Sequence, residues 1–261
     1  MAASSYKYYN DEDFNAKKFV ESHFSDGKVS ITEESVGFPI KILHGLFSSG
    51  QVKGNTLLDI SSGALVYQLL SASNVFKEIY VMDFTDANIR HFRQWLEKGK
   101  EATDWSYASK QVCQLQGNSA GWQEQEEKVR RAVKSVVKWD IFGSGCADPL
   151  LVPRADCVLS LWIINIISKT REEYQRNLAS ATSWLKVGGY LLLFTGLNMT
   201  FYTLGQHKYF ILPLDEAFVR ESVTKAGCVI EKVELLRNKV STDKVDYDHL
   251  LFILARKERE A

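Results

Sequence analysis

From Asn55 onward, short apolar runs alternate with amphipathic stretches. The runs "TLLDI", "EIYVMDF", "DCVLSLWII" and "YLLLF" read as strands, and the periodic stretches among them predict helices over 64–73, 86–98 and 171–185. Strands that are apolar on both sides and separated by helices belong to a parallel sheet covered on both faces. The helix over 171–185 buries Tyr174, Leu178, Ala181 and Leu185, and the following "KVGG" reads as its glycine stop. A last helix, "LDEAFVRESVTKAG", takes Asp215 as N-cap and ends at Gly227. The two runs after it, "CVIEKVELL" and "HLLFILARK", have no helix between them and predict an antiparallel hairpin at the sheet edge.

Two regions fall outside this alternation. Near the N-terminus, "DEDFNAKKFVESHF" sets Phe14, Phe19 and Phe24 on a roughly helical stripe, which predicts a lid or an added helix stopped by "SDGK". The segment 117–138 contains "EQEEKVRRAVKSVVK", in which Val129, Ala132, Val133 and Val136 form a helical stripe. Glu126 and Glu127 stand four residues before Arg130 and Arg131, so a solvated, ion-paired face accounts for its basic residues better than a nucleic-acid patch.

Composition narrows the function classes. The chain has 261 residues, 45% of them hydrophobic and 12% aromatic, enough for one α/β domain with insertions. Residues 1–50 read as a helical cap and 51–261 as the core of that single domain. Lys plus Arg and Asp plus Glu both number 32, so no global field favours nucleic acid or an anionic membrane. The four cysteines lack a C-x-x-C pair and no histidine cluster accompanies them, so no metal is expected. The polar, acidic N-terminus does not read as a signal peptide and no apolar run reaches spanning length, which leads to an expectation of a cytoplasmic protein.

In an open parallel sheet the ligand crevice lies at the carboxyl ends of the strands. Three features meet there. The turn Ser61-Ser62-Gly63 follows "TLLDI" and brings a helix N-terminus toward an anionic group. Asp83 closes "EIYVMD", where a nucleoside site places the carboxylate that binds ribose hydroxyls. Asp140 closes "VVKWD", in reach of a base edge. Each alone is equally a plain loop or a helix cap, but their joint spacing favours a ribose-containing ligand. One loop glycine is too few for a pyrophosphate cradle, which ranks S-adenosylmethionine above a dinucleotide.

The stretches "LLDISSGALVYQLL", "FKEIYVMDFTDANIRHFRQWLEK", "EATDW", "EEKVRRAVKSVVKWDI", "ADCVLSLW", "WLKVGGYLLL", "LGQHKYFILPL" and the closing "ARK" together resemble the small-molecule amine N-methyltransferases, typified by the nicotinamide, indolethylamine and phenylethanolamine enzymes. The resemblance runs in one collinear order from about Phe14 to Lys257. It implies an α/β fold of the class I S-adenosylmethionine-dependent methyltransferases: a Rossmann-like, mostly parallel seven-stranded sheet with a C-terminal antiparallel hairpin, plus an N-terminal helical lid. It also implies a monomer that takes S-adenosyl-L-methionine and a small amine or heteroaromatic substrate. Carried over by position, Ser61, Ser62, Gly63 and Tyr67 would meet the methionine end, Asp83 and Asn88 the ribose, Asp140 and Ile141 the adenine, and Leu161 the methionine moiety. Phe19, His23 and Phe24 fall on the family's lid. Trp162, Thr195 and Tyr202 fall on the acceptor side, with Tyr202 best placed to orient an acceptor, and His207 and Phe210 are further candidates for an aromatic wall.

Several of these positions depart from the family pattern. Ser61 replaces the glycine that opens the turn, which predicts either a strained φ or crowding of the cofactor by its Cβ. Phe19 and Phe24 replace tyrosines, removing about 0.5–1.5 kcal/mol each if those hydroxyls made ordinary hydrogen bonds. Thr195 stands where the nicotinamide enzyme has an aspartate, and no carboxylate lies between Gly188 and Pro213. Two readings follow: an N-methyltransferase of altered acceptor specificity, or a weak or inactive paralogue that serves as a ligand- or protein-binding module. Retention of Tyr67, Asp83, Asn88 and Asp140 favours the enzyme.

Overall fold

A computed structural model describes residues 6–9, 15–25, 32–61, 64–118, 121–139, 152–238 and 242–260. Its central sheet has seven strands in the order β3-β2-β1-β4-β5-β9-β8. They are β1 (Thr56–Asp59), β2 (Glu78–Asp83), β3 (Val133–Lys138), β4 (Ala155–Leu161), β5 (Leu185–Leu197), β8 (Cys228–Arg237) and β9 (His249–Lys257). The first five run parallel; β9 is antiparallel to both β5 and β8. The two last strands therefore pair as the apolar pattern predicts, with β9 inserted inside and β8 left as the edge. The order reverses between β1 and β4, which opens a crevice beyond their carboxyl ends.

Two apolar cores fill the two faces. Even-numbered residues of β5, Leu192 and Phe194, join the core under the N-terminal helices, whereas Leu191, Leu193 and Leu197 join the core under α7 (Arg171–Ser183) and α8 (Glu216–Lys225). The first face carries α1 (Ala16–His23), α2 (Phe38–Ser48), α3 (Tyr67–Ala72), α4 (Asp86–Leu96), α5 (Ser106–Leu115) and α6 (Trp122–Ala132). Caps set several boundaries: the side chains of Asn15, Thr85, Thr170 and Asp215 each accept the third backbone N–H of the helix that follows.

Three expectations change. "KVGG" does not stop a helix: α7 ends at Ser183, and Lys186 to Gly189 lie inside β5, where its register on β4 shifts. A Cβ at Gly189 would sit 2.9 Å from the Lys186 carbonyl and 3.0 Å from the Asp156 carbonyl of β4, so the bend of this segment and its close approach to β4 favour glycine. The stripe through Val136 is not one helix: α6 ends at Ala132, and the β-branched run that follows pairs with β2 as β3. Arg130 does bind Glu126 at 3.1 Å, but it also takes Glu127 at 2.9 Å, and Arg131 reaches Glu124 instead. A hairpin of β6 (Phe201–Leu204) and β7 (His207–Phe210) rises after β5 and was not signalled by alternation. Phe14, Ser62, Gly63, Asp140 and Ile141 lie outside the described residues.

Candidate active site

At the carboxyl end of β1, Asp59 is buried and fully engaged. Its Oδ1 accepts the Ser61 hydroxyl at 2.5 Å and the Ser61 N–H at 3.2 Å, and its Oδ2 accepts Gln68 Nε2 at 2.9 Å. Burial pushes the Asp59 carboxyl up to about 6, against the opposing hydrogen bonds of Ser61 and Gln68. The Ser61 hydroxyl also accepts the Leu161 N–H of β4 at 3.2 Å. Ser61 is thus stitched between the ends of β1 and β4. The expected strain is absent, because Lys98, Trp162 and Asn198 are the non-glycine residues with positive φ among those described.

Asp83, at the end of β2, accepts the Thr85 N–H at 2.7 Å, the Thr85 hydroxyl at 3.0 Å and Asn88 Nδ2 at 2.9 Å. Burial pushes its carboxyl up to about 7. Asn88 Nδ2 also donates to the Tyr9 hydroxyl at 2.8 Å, while Asn88 Oδ1 and Gln68 Oε1 are buried acceptors with no partner among the described residues. Tyr9 was not singled out in the sequence, since a polar N-terminal stretch carries no pattern. Its strand-like segment is held by the Lys7 N–H on the Lys208 carbonyl at 2.9 Å and the Phe210 N–H on the Lys7 carbonyl at 2.8 Å. The Tyr9 ring lies 4.8 Å from that of Phe84.

Beyond the end of β4, a cavity of about 60 Å³ is walled by Phe19, His23, Phe24, Trp162, Tyr202 and Tyr247, among others. Phe19 meets Tyr202 edge-on at 5.6 Å, and Phe24 lies 6.1 Å from Tyr67. Trp162 takes a left-handed backbone with φ 61°, rare for a bulky residue and found chiefly where function holds it. Its indole N–H donates to the Tyr67 hydroxyl at 3.0 Å, and that hydroxyl donates to the Ser35 carbonyl at 2.9 Å. Tyr67 therefore joins the first turn, the cavity wall and the lid.

The other acceptor-side candidates lie elsewhere. Thr195 is buried on the face of β5 opposite the cavity, with its hydroxyl unpaired among the described residues, and Gly196 lines the cavity in its place. His207 is exposed on β7, and neither it nor Phe210 lines the cavity. Leu161 is fully buried and contributes its N–H to Ser61. Neither Glu34 nor Tyr247 stood out in the sequence: Glu34, in the π-helical turn Glu33–Gly37, is buried behind the cavity wall and accepts the hydroxyl of the wall residue Tyr247. An acid outside the searched interval Gly188–Pro213, on an element more than 150 residues away, has no local signal. No group of His, Cys, Asp and Glu suited to a metal ion occurs among the described residues.

Comparison with known proteins matches this geometry to a group. The chain is 37% identical to nicotinamide N-methyltransferase of Homo sapiens over 245 residues, covering 94% of this chain and 93% of that one. It is 34% identical to indolethylamine N-methyltransferase of Mus musculus, covering 95% and 94%. It is 32% identical to phenylethanolamine N-methyltransferase of Bos taurus, covering 87% and 81%. Among solved structures, the N-methyltransferase NodS from Bradyrhizobium japonicum WM9, in complex with S-adenosyl-L-homocysteine, superposes with a TM-score of 0.54 at 12% identity, covering 94% and 100%. Magnesium protoporphyrin IX methyltransferase from Synechocystis PCC 6803, with bound SAM, gives 0.55 at 12%, covering 95% and 100%. These place the fold among the class I S-adenosylmethionine-dependent methyltransferases. A family model matches residues 3–258, and the chain belongs to the NNMT/PNMT/TEMT family.

Proposed function

We propose that this protein is an S-adenosylmethionine-dependent N-methyltransferase, a monomeric cytoplasmic enzyme that methylates the nitrogen of a small amine or aromatic heterocycle. The observation that carries the reading is the buried group at the end of β2. There the Asp83 carboxylate stands beside Asn88, whose unpaired Oδ1 is an acceptor awaiting a donor. A pair of ribose hydroxyls supplies the donors that such a site lacks. Gln68 Oε1, also unpaired, lies beside Asp59 at the next strand end.

When bound, the cofactor would supply an electrophilic sulfonium methyl to the acceptor nitrogen, the new C–N bond replacing the C–S bond, whose electron pair would return to the departing sulfur. The chain's own contribution is alignment and exclusion of water, worth up to about 7–11 kcal/mol when geometry is ideal. Phe19 and Phe24 cover the site from the lid, Tyr67 and Trp162 close the boundary between cofactor and acceptor, and Tyr202 faces the acceptor. In this reading Ser62 and Gly63 complete the turn at the methionine end, and Asp140 and Ile141 border the adenine.

Calorimetric titration with S-adenosylmethionine and S-adenosylhomocysteine tests the reading, with micromolar binding expected. No binding at millimolar ligand overturns it and returns the fold to the role of a non-catalytic binding module.

A further inference from the structure

His23 has no role in the reaction as described so far, yet it is 3% exposed and forms part of the cavity wall. Its Nδ1 turns back onto its own helix, 3.1 Å from the Phe19 carbonyl oxygen and 2.8 Å from the Ser22 hydroxyl. A carbonyl only accepts, so the proton belongs on Nδ1, and the Ser22 hydroxyl in turn donates to the same carbonyl at 3.1 Å. That tautomer leaves a bare lone pair on Nε2, at the opposite edge of the ring; no described group reaches it with hydrogen-bond geometry, although the Lys244 backbone stands close enough to the ring to bear on its charge. The Tyr202 ring meets the imidazole edge-on at 6.0 Å and carries the other unpaired polar atom of this wall, its hydroxyl. Buried polar atoms are almost always paired, so two orphans around one cavity point to a ligand that pairs them.

We propose that His23 is a specificity-determining residue: its Nε2 accepts a hydrogen bond from an N–H of the acceptor, which is therefore an uncharged primary or secondary amine. This rests on the methyltransferase reading. One N–H points to His23 and, in a primary amine, the second reaches the Tyr202 oxygen, which leaves the nitrogen lone pair free to face the methyl donor. After transfer the nitrogen keeps its hydrogens and leaves as an ammonium ion, so no base is required. A tertiary amine or a ring nitrogen leaves Nε2 buried and unpaired, the circumstance in which polar sites discriminate most. Independent features agree that the bound amine is uncharged. Burial holds the imidazole down to about 4, aided by the nearby Lys244 charge and opposed by the Phe19 and Lys244 backbone, and no carboxylate lines the cavity.

The probes are benzylamine and N,N-dimethylbenzylamine, which differ only in N–H, titrated at alkaline pH into the full chain saturated with S-adenosylhomocysteine. Benzylamine is expected to bind about tenfold more tightly, a difference of about 1.4 kcal/mol. His23→Phe is expected to abolish the preference, and His23→Gln, which can still present an acceptor near the Nε2 position, to keep most of it. In protein labelled with 15N-histidine, the His23 signal, assigned by its loss in His23→Gln, is expected to show the Nδ1–H form. Equal affinities, no benzylamine binding, an unchanged preference in His23→Phe or an Nε2–H tautomer overturns the proposal. Failure of S-adenosylhomocysteine itself to bind overturns the methyltransferase reading instead.

Discussion

Ser61 shows how one substitution is absorbed. Its hydroxyl satisfies Asp59 and the buried Leu161 N–H, so Ser61→Ala removes one donor and one acceptor from the joint between β1 and β4. We expect a loss of about 1–3 kcal/mol and a thermal midpoint lower by several degrees, with cofactor affinity unchanged within about twofold because the hydroxyl is taken up by Asp59 and the Leu161 N–H. A cofactor affinity reduced tenfold in a stably folded Ser61→Ala protein would place the hydroxyl in the binding site. Asp83 gives a pH signature. Its carboxyl rises from the ordinary 3.8 to about 7 through burial, so the folded state holds a proton that the unfolded chain has lost. The resulting stability is present in full below 3.8 and disappears as pH rises through about 7. Asp59, raised to about 6, acts in the same direction. The cofactor-free midpoint should therefore fall between pH 5 and pH 8. In the proposed binding mode the ribose hydroxyls need the ionised carboxylate, so affinity for S-adenosylhomocysteine should rise up to about tenfold per pH unit below about 7 and level off above it, with proton release on binding. Calorimetry in buffers of different ionisation enthalpy measures that release directly.

At the scale of elements, the lid is held by a few polar joints on apolar packing. The Ser35 carbonyl accepts the Tyr67 hydroxyl, the Ser35 hydroxyl donates to the His23 carbonyl at 3.3 Å, the Phe24 carbonyl accepts the Tyr107 hydroxyl, and Glu34 accepts that of Tyr247. Tyr247→Phe withdraws one donor from a buried carboxylate. We expect a cost of about 1–3 kcal/mol, with faster amide hydrogen exchange over 32–38 and unchanged exchange in β4 and β5. Uniform acceleration across the sheet would show that the joint serves the whole core rather than the lid. How legible each element was follows from its interactions. α8 was readable because Asp215 and Gly227 punctuate it locally, and β1, β2 and β4 because burial on both faces leaves an unbroken apolar run. The change from α6 to β3 at Val133 was not readable. "VKSVVK" continues a helical stripe, and its strand state comes from pairing with β2, whose partner residues lie 54 or 55 positions earlier, as in Ile79 with Val133 and Tyr80 with Ser135. "KVGG" is ambiguous partly for the same reason, since the demand for glycine at 189 comes from the Lys186 carbonyl of its own segment together with the Asp156 carbonyl of a neighbouring strand.

Across the whole molecule, the last strand closes the sheet and also anchors a helix. Lys257 is 1% exposed, donating to the Thr182 carbonyl at 2.9 Å near the C-terminal end of α7 and to Glu260 at 2.7 Å. Its ammonium complements the negative end of the helix dipole. Lys257→Met keeps most of the stem but removes the donors, with an expected loss of about 1–3 kcal/mol and a midpoint lower by several degrees. Cofactor binding at 25 °C should persist, because β9 lies on the far side of β5 from the crevice. Loss of cofactor binding by a folded Lys257→Met protein would mean that the sheet edge controls the site.

Residue order and type were enough for the α/β class, the antiparallel close of the sheet, the place of Asp83 at a strand end, and the aromatic character of the N-terminal helix. Those features depend on local periodicity, strand ends and helix caps, which neighbours in sequence encode. Folding alone settled that the Ser61 hydroxyl joins Asp59 to the Leu161 N–H, that Thr195 faces away from the cavity while Gly196 lines it, that Tyr9 reaches Asn88, that Glu34 meets Tyr247, and that His23 turns Nε2 from its helix with no partner among the described residues. Each of these depends on the pleat parity of a strand or on contacts between segments far apart in the chain. Their cause is the packing of several elements at once, which no window of sequence contains.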